Sequence, residues 1–227
     1  MIIKFFLQFT GFRVRYVETI SKKYDEKFED QIGYFAGEFD MSGISGILSI
    51  DGSLVKTEQL NLMISRMRHR GPDGQNIWCD DDVGLGHCLL RTTPESLYER
   101  QPYKHKHLVI TADARIDNRE DLLEKLELEQ TDSVIPDNEL IFHSYEKWGR
   151  ECPEFLIGDF AFAIWDSARE SLFLARDPFG IKQLFYSVNP HYQFAFATEI
   201  KSLLTLPEVS GDLNDPVIGE FLSGWPN

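Results

Sequence analysis

A chain of 227 residues, 42% hydrophobic and 13% aromatic, can bury a sizeable core and fits one globular domain with an appendage. Its 23 basic and 37 acidic side chains leave a formal charge of −14, a field that repels nucleic acid and anionic membrane surfaces and excludes a polyanionic partner. Cys79, Cys88 and Cys152 form no C-x-x-C pair, which points to a reducing cytoplasm over a disulfide framework, and no apolar run of about 18 residues offers a membrane-spanning helix.

Residues 1–40 carry 6 basic and 7 acidic groups, so nearly all of the negative charge belongs to residues 41–227. The apolar opening, residues 2–9, is interrupted by Lys4 and Gln8 and no small-residue cleavage site succeeds it, so it does not read as a secretion signal. Tyr16, Ile20, Tyr24, Phe28 and Ile32 recur every four residues among Lys, Asp and Glu, which predicts an amphipathic helix. Alternatives for this extension are a partner-docking helix, a mobile arm, or an upstream start codon with the protein proper beginning at Met41.

From Ser42 the texture changes. A strand over 44–51 turns at Asp51-Gly52. Thr57 is the expected cap of a helix whose Leu60, Met63, Ile64 and Met67 keep helical spacing, and cations over 66–70 with Gly71-Pro72 close it. Alternating runs predict strands at 83–90 and 108–114, and helices come next at 118–128 and 138–148. Apolar strands then crowd together at 160–165, 172–175, 184–186 and 194–197. A last helix begins near 216–222, and the ending at Asn227 reads as unfinished. Strand runs with segregated helices imply an α+β fold with antiparallel pairing, and two sheets between helical layers would accommodate it.

The order of several motifs is specific. Met41-Ser42-Gly43-Ile44, Arg68-His69-Arg70-Gly71-Pro72-Asp73, Gly158-Asp159-Phe160-Ala161-Phe162-Ala163-Ile164-Trp165-Asp166, Ala175-Arg176-Asp177-Pro178-Phe179-Gly180-Ile181-Lys182 and Ala197-Thr198-Glu199-Ile200-Lys201-Ser202-Leu203 succeed one another from Met41 to the end. This series resembles the N-terminal, class-II glutamine amidotransferase domain of the glutamine-hydrolysing asparagine synthetase family, of the N-terminal-nucleophile type. The resemblance implies a four-layer αββα sandwich of two antiparallel sheets. It divides the chain into an extension (1–40), the amidotransferase-like domain (41–213) and the start of a linker or helix (214–227). In full-length relatives an ATP-pyrophosphatase synthetase domain comes after it, a ligase that forms an amide. Its serine-glycine-glycine phosphate loop has no counterpart here. The densest glycine site, Gly71-Pro72-Asp73-Gly74, reads as a turn because its proline lacks the N–H that phosphate cradling needs. No cofactor is therefore expected on this chain, ATP and Mg²⁺ belonging to the missing domain.

The site that the resemblance implies is less intact. The family's nucleophile is a cysteine at residue one, whose own α-amino group serves as base; that position here is Ser42, and an amide carrying 41 upstream residues cannot be a base. Where the family has Asn-Gly-Glu, this chain has Asp113-Ala114-Arg115. Asp113 replaces an oxyanion donor by an acceptor-only carboxylate, a loss of about 10²- to 10³-fold or more. Ala114 limits close backbone approach, and Arg115 repels the substrate's α-ammonium. The family's carboxylate-gripping arginine falls at Leu89 in His87-Cys88-Leu89-Leu90; Arg91, two residues on, is expected on the same strand face and within reach of the old pocket. Asp137 matches a substrate-binding aspartate, although capping of the adjoining helix is the simpler role.

Other candidates read as structural. Arg176, Asp177 and Lys182 suggest an ion network; His69 and His87 suggest satisfied polar groups; Cys88 is a weak alternative nucleophile. His105 and His107 would share a strand face, but they lack a third ligand at suitable spacing, so no metal site is expected. The resulting expectation is a cytoplasmic domain with a dismantled glutaminase site, scaffolding an ATP-dependent amide-forming domain or subunit. β-Lactam synthetases and lasso-peptide cyclases are the relatives in which such a loss is harmless. Glutamine remains the residual ligand to test, and homodimerisation is left open. The rivals are an N-terminal-serine amidohydrolase activated by removal of residues 1–41, and a truncated fragment without independent role.

Overall fold

Large and small residues alternate over 160–164 and 194–197, and the alternation sends their side chains to opposite faces of each sheet. A computed structural model describes residues 2–10, 13–21, 41–128, 134–189 and 193–223. Strand β3 (Gly43–Ser49) lies in the middle of a five-stranded antiparallel sheet with β4 (Gly74–Asp80), β5 (Val83–Leu89), β10 (Phe185–Asn189) and β11 (Gln193–Ala197), in the order β10-β11-β3-β5-β4. The second sheet has six strands: β1 (Ile2–Thr10), β2 (Arg13–Ser21), β6 (Tyr103–His105), β7 (Leu108–Ile116), β8 (Gly158–Asp166) and β9 (Ser171–Arg176), in the order β2-β1-β9-β8-β7-β6.

Strand β8 shows how the layers arise. Phe160, Phe162 and Ile164 face outward onto α3 (Asp137–Trp148) and α2 (Arg119–Lys125), joining Ile110, Leu122, Ile141 and Phe142. Ala161, Ala163 and Trp165 face inward and meet Ile44, Leu48, Leu85 and Phe196 of the other sheet. Small residues at this inner face let the sheets approach. On the far side of the five-stranded sheet, α1 (Thr57–Arg66) packs Leu60, Met63 and Ile64 with Ile47, Ala195 and Leu203, the last from the short α4 (Ile200–Leu203). The result is the αββα sandwich expected from the sequence. A short α5 (Asp215–Leu222) comes last.

Several local expectations are corrected. Residues 13–21 form a strand instead of the predicted helix, because a four-residue recurrence is also a multiple of two: Tyr16 and Ile20 share a strand face as readily as a helix face. The β1–β2 hairpin pairs with β9 in antiparallel register, from Ile3 opposite Arg176 to Gln8 opposite Ser171. Tyr24, Phe28 and Ile32 lie outside the described residues. Helix α1 is capped at Lys56 rather than Thr57; the Lys56 N–H donates to Gln59 Oε1 at 3.2 Å, so the box is made by the residue three positions on.

Candidate functional site

The inner faces of the two sheets part at the start of β3, and there a cleft of about 370 Å³ opens. Its walls come from Met41 and Ser42, from Leu90, Thr93 and Glu99 after β5, from Asp113, Ala114 and Arg115 on β7, from Asp137 at the head of α3, and from Asp159, Ile181 and Lys182. Thus Ser42, Asp113, Ala114, Arg115 and Asp137 are brought together from distant parts of the chain. Arg91 is not among the lining residues.

Ser42 is 8% exposed, and its hydroxyl is occupied on both sides. Oγ accepts from the Leu90 N–H at 3.0 Å and donates to the Leu90 carbonyl at 3.3 Å. Arg70 Nη1 donates to the Ser42 carbonyl at 3.3 Å, and its Nε bonds Glu199 at 2.5 Å. Burial opposes ionisation of Glu199, but bonds from Lys201, Arg70 and His69 outweigh it and hold the carboxyl down at about 2. This arrangement fixes the backbone at Ser42, and Gly71 makes it possible: a Cβ there would sit 2.7 Å from Cys88 Cα.

Asp113 lies on the inner face of β7, 3% exposed, with Oδ1 accepting from Lys182 Nζ at 2.7 Å. Its other oxygen, Oδ2, has no partner among the described residues. Burial raises its pKa, against the opposing charge and hydrogen bond of Lys182. Lys182 is presented by a turn organised by Asp177, whose carboxylate accepts N–H bonds from Phe179 and Ile181 at 3.0 Å and from Lys182 at 2.9 Å. The expected Arg176–Asp177–Lys182 ion network is therefore replaced by a backbone-capped turn, with the lysine sent across to Asp113.

Arg115 is bound rather than free. Its guanidinium reaches Asp117 at 3.0 Å and Asp159, its cross-strand register partner, at 3.6 Å. Asp137 is the first residue of α3, with Pro136 at the cap, so it does not cap the helix. Its Oδ2 instead accepts from the Ile116 N–H at 3.2 Å, and Oδ1 pairs with Arg119, tying α3 to the end of β7. Arg91 is exposed, and its N–H donates to Asp73 at 2.7 Å. Strand β5 ends at Leu89, so the alternation that would have carried Arg91 to the pocket face stops short.

Two site groups carry no clear local signal. Lys182 reads in sequence only as part of its own segment. Glu99 sits half-buried in the cleft wall, its carboxylate bonded by Gln101, whose amide also clamps the Ala112 backbone beside Asp113. Burial, with the charges of Asp137 and Asp113, raises its pKa to about 7 against the Gln101 bond and the charge of Arg91. Behind the cleft, His87 is fully buried and kept neutral, burial lowering its pKa to about 3; Nδ1 meets Thr111 Oγ1 at 3.3 Å, while Nε2 has no partner among the described residues. Burial and then the Glu199 charge push the Cys88 thiol up to about 12 despite Arg70, which removes it as a nucleophile at neutral pH. His105 ends β6 while His107 comes after a positive-φ turn at Lys106, so the two imidazoles do not share a strand face as expected.

Comparison with known proteins matches this sequence to a family. The model of the glutamine amidotransferase domain matches residues 41–226. An asparagine synthetase [glutamine-hydrolyzing] 3 of Bacillus subtilis is 33% identical over 197 residues, covering 82% of this chain and 31% of the relative. An asparagine synthetase [glutamine-hydrolyzing] 2 of Oryza sativa is 33% identical over 165 residues, covering 72% and 28%. The amidase chry2 of Gibberella zeae is 34% identical over 168 residues, covering 70% and 24%. The chain spans about a third or less of the length of these relatives. The chain belongs to the glutamine amidotransferase domain family, as an asparagine-synthetase-like member.

Proposed function

We propose that this domain does not hydrolyse glutamine and instead serves as a scaffold for an ATP-dependent, amide-forming synthetase domain or subunit. The observation that carries the reading is the buried Asp113–Lys182 pair. At the position expected to supply an oxyanion donor stands a carboxylate, and the Lys182 ammonium is directed onto that carboxylate. A developing oxyanion would have to break a desolvated ion pair to gain a donor, which opposes rather than lowers the barrier.

Three further features support it. The Ser42 hydroxyl is satisfied by Leu90, which donates to it and accepts from it. Arg115 is neutralised by Asp117 and Asp159. Arg91, the remaining candidate for a substrate carboxylate, lies outside the cleft wall. The relatives' printed names include glutamine-hydrolysing asparagine synthetases, so an amide-forming partner fits the family context. ATP and Mg²⁺ would be handled by that partner.

Ammonia release from glutamine by a chain trimmed to begin at Ser42, and by the same chain with Ser42→Cys, tests the proposal. Neither is expected to exceed the uncatalysed rate, because the donor position and the substrate grip are lost together. Ammonia release by the trimmed parent that disappears in Ser42→Ala would overturn it in favour of a serine amidohydrolase.

A further inference from the structure

Strand β9 owes one of its two sides to the start of the chain. On one side all six of its residues pair with β8, from Ala161 opposite Arg176 to Asp166 opposite Ser171. On the other side the same six pair with β1, from Ile3 opposite Arg176 to Gln8 opposite Ser171. In the order β2-β1-β9-β8-β7-β6 the β1–β2 hairpin is therefore all that keeps β9 from being an edge of the sheet, among the described residues.

An uncovered β9 would be a hazardous edge. Ser171-Leu172-Phe173-Leu174-Ala175-Arg176 carries a single charge, at its end, with no proline and no glycine, the composition of a segment that pairs with copies of itself. A row of unpaired N–H and C=O groups on such a strand is a template for another strand. The opposite edge of the same sheet, β6, is only three residues long and offers little to pair with. The hairpin changes what lies outermost. Strand β1 is nearly as apolar as β9, with Lys4 its one charge, but β2, which becomes the edge, carries Arg13, Arg15 and Glu18. Charged residues on an outer strand discourage edge-to-edge pairing, because an added strand would have to desolvate them.

We infer that the β1–β2 hairpin is an intramolecular guard of the β9 edge, and that the partner it excludes is a second copy of this chain, pairing β9 antiparallel with β9 about a two-fold axis. A two-fold contact needs a self-complementary patch, and one strand set antiparallel to its own copy is self-complementary. The hairpin wins that competition because it belongs to the same molecule, whereas a second copy arrives from solution against the repulsion between two chains of formal charge −14. The inference concerns the face remote in function from the cleft and stands whether or not glutamine is hydrolysed.

Sedimentation velocity and amide exchange on the full chain test this between about 1 and about 100 µM, the range in which a micromolar contact forms. The parent is expected to stay monomeric throughout. Phe5→Pro with Phe6→Pro places a proline at two successive positions of β1, so that one removes a donor from the ladder with β9 and the other from the ladder with β2. At about 1 µM this variant should be monomeric, with exchange over 171–176 at least about tenfold faster than in the parent. At about 100 µM it should sediment as a dimer, more completely as salt screens the like charges, and protection over 171–176 should return. Strand β7 should stay protected at both concentrations. Phe5→Gly with Phe6→Gly, which weakens the strand without removing a donor, carries the same test if the proline pair costs β7 its protection. A parent that dimerises as readily as the variant, a variant with an exposed β9 that stays monomeric at the upper concentration, a dimer in which 171–176 remains unprotected, or β9 exchange unchanged in both variants would each overturn the inference.

Discussion

Lys182→Met is the sharpest test of how the site is held together. The substitution keeps the length and apolar stem of the side chain but removes the ammonium 2.7 Å from Asp113 Oδ1. Asp113 is 3% exposed, with Oδ2 already unpartnered among the described residues, so the carboxylate would lose its neutralising contact at a largely desolvated place in the cleft wall. Breaking a buried pair from one side costs about 3–5 kcal/mol, a large share of the roughly 5–15 kcal/mol typical of a domain. The cost depends on pH in a definite direction. Burial raises the Asp113 pKa, so the folded state holds its proton more tightly than the unfolded chain does. Stability from that proton is present below the unfolded carboxyl pKa and is lost as pH rises through the folded one. The deficit of Lys182→Met should therefore be largest at neutral pH and shrink as pH falls towards about 4, because the raised folded pKa protonates Asp113 above the unfolded carboxyl value. Replacing both partners, Asp113→Leu with Lys182→Met, should recover most of the loss. Urea unfolding of the three variants and the parent at pH 7 and pH 4 measures all of this. A Lys182→Met cost below about 1 kcal/mol, the range of exposed pairs, would show that the pair is solvated and would remove the main support for an inactive site.

Glu99→Gln should stabilise the protein at pH 8 by about 1–2 kcal/mol and make no difference near pH 4, read from urea midpoints. With its folded pKa raised to about 7 by burial and by Asp137 and Asp113, against Gln101 and Arg91, the carboxyl favours the fold only while protonated, and that contribution is lost as pH rises through 7. Removal of residues 1–40 should raise amide exchange at least about tenfold over 171–176 while leaving β7 protected, since β9 loses the partner that pairs Ile3 with Arg176 and Gln8 with Ser171. Unchanged exchange in β9 would mean that the hairpin contributes no protection there.

Much of the sandwich is legible in the sequence because burial on both faces forces a pattern that survives in one chain. In 160–164 the large residues belong to the helical layer and both inner positions are alanine, so element type and spacing are written locally. The hairpin at 2–21 is not legible as such, since a period of four satisfies a strand as well as a helix. Strand β4 escapes sequence reading for a related reason: Gly74–Asp80 is only partly buried on either face and its residues show no strong alternation. Position in the motif series points to Ser42, Asp113, Ala114, Arg115 and Asp137, and the fold sets these five around one cleft. It misplaces Arg91, because strand alternation carries the expectation two residues past the end of β5.

The chemistry of the cleft is harder to read than its location, and the reason is physical. A carboxylate's role depends on what neutralises it, and the partner of Asp113 is 69 positions away in sequence, delivered by a turn that Asp177 organises through backbone bonds. No local spacing encodes that meeting. Glu99 likewise owes its raised pKa to burial and to Asp137 and Asp113, which tertiary packing brings near. Ser42, the residue that the sequence marks most clearly, is likewise held from outside its own segment: the Leu90 N–H donates to its hydroxyl and the Leu90 carbonyl accepts from it. Motif order thus locates a site, whereas pairing decides its charge state: Lys182 holds Asp113, Arg115 is held by Asp117 and Asp159, and Arg119 holds Asp137. On the proposed reading, restoring a thiol alone is not expected to bring glutamine hydrolysis back. Ser42→Cys changes the nucleophile, while Asp113, Lys182 and Arg115 continue to set the field in which any nucleophile must act.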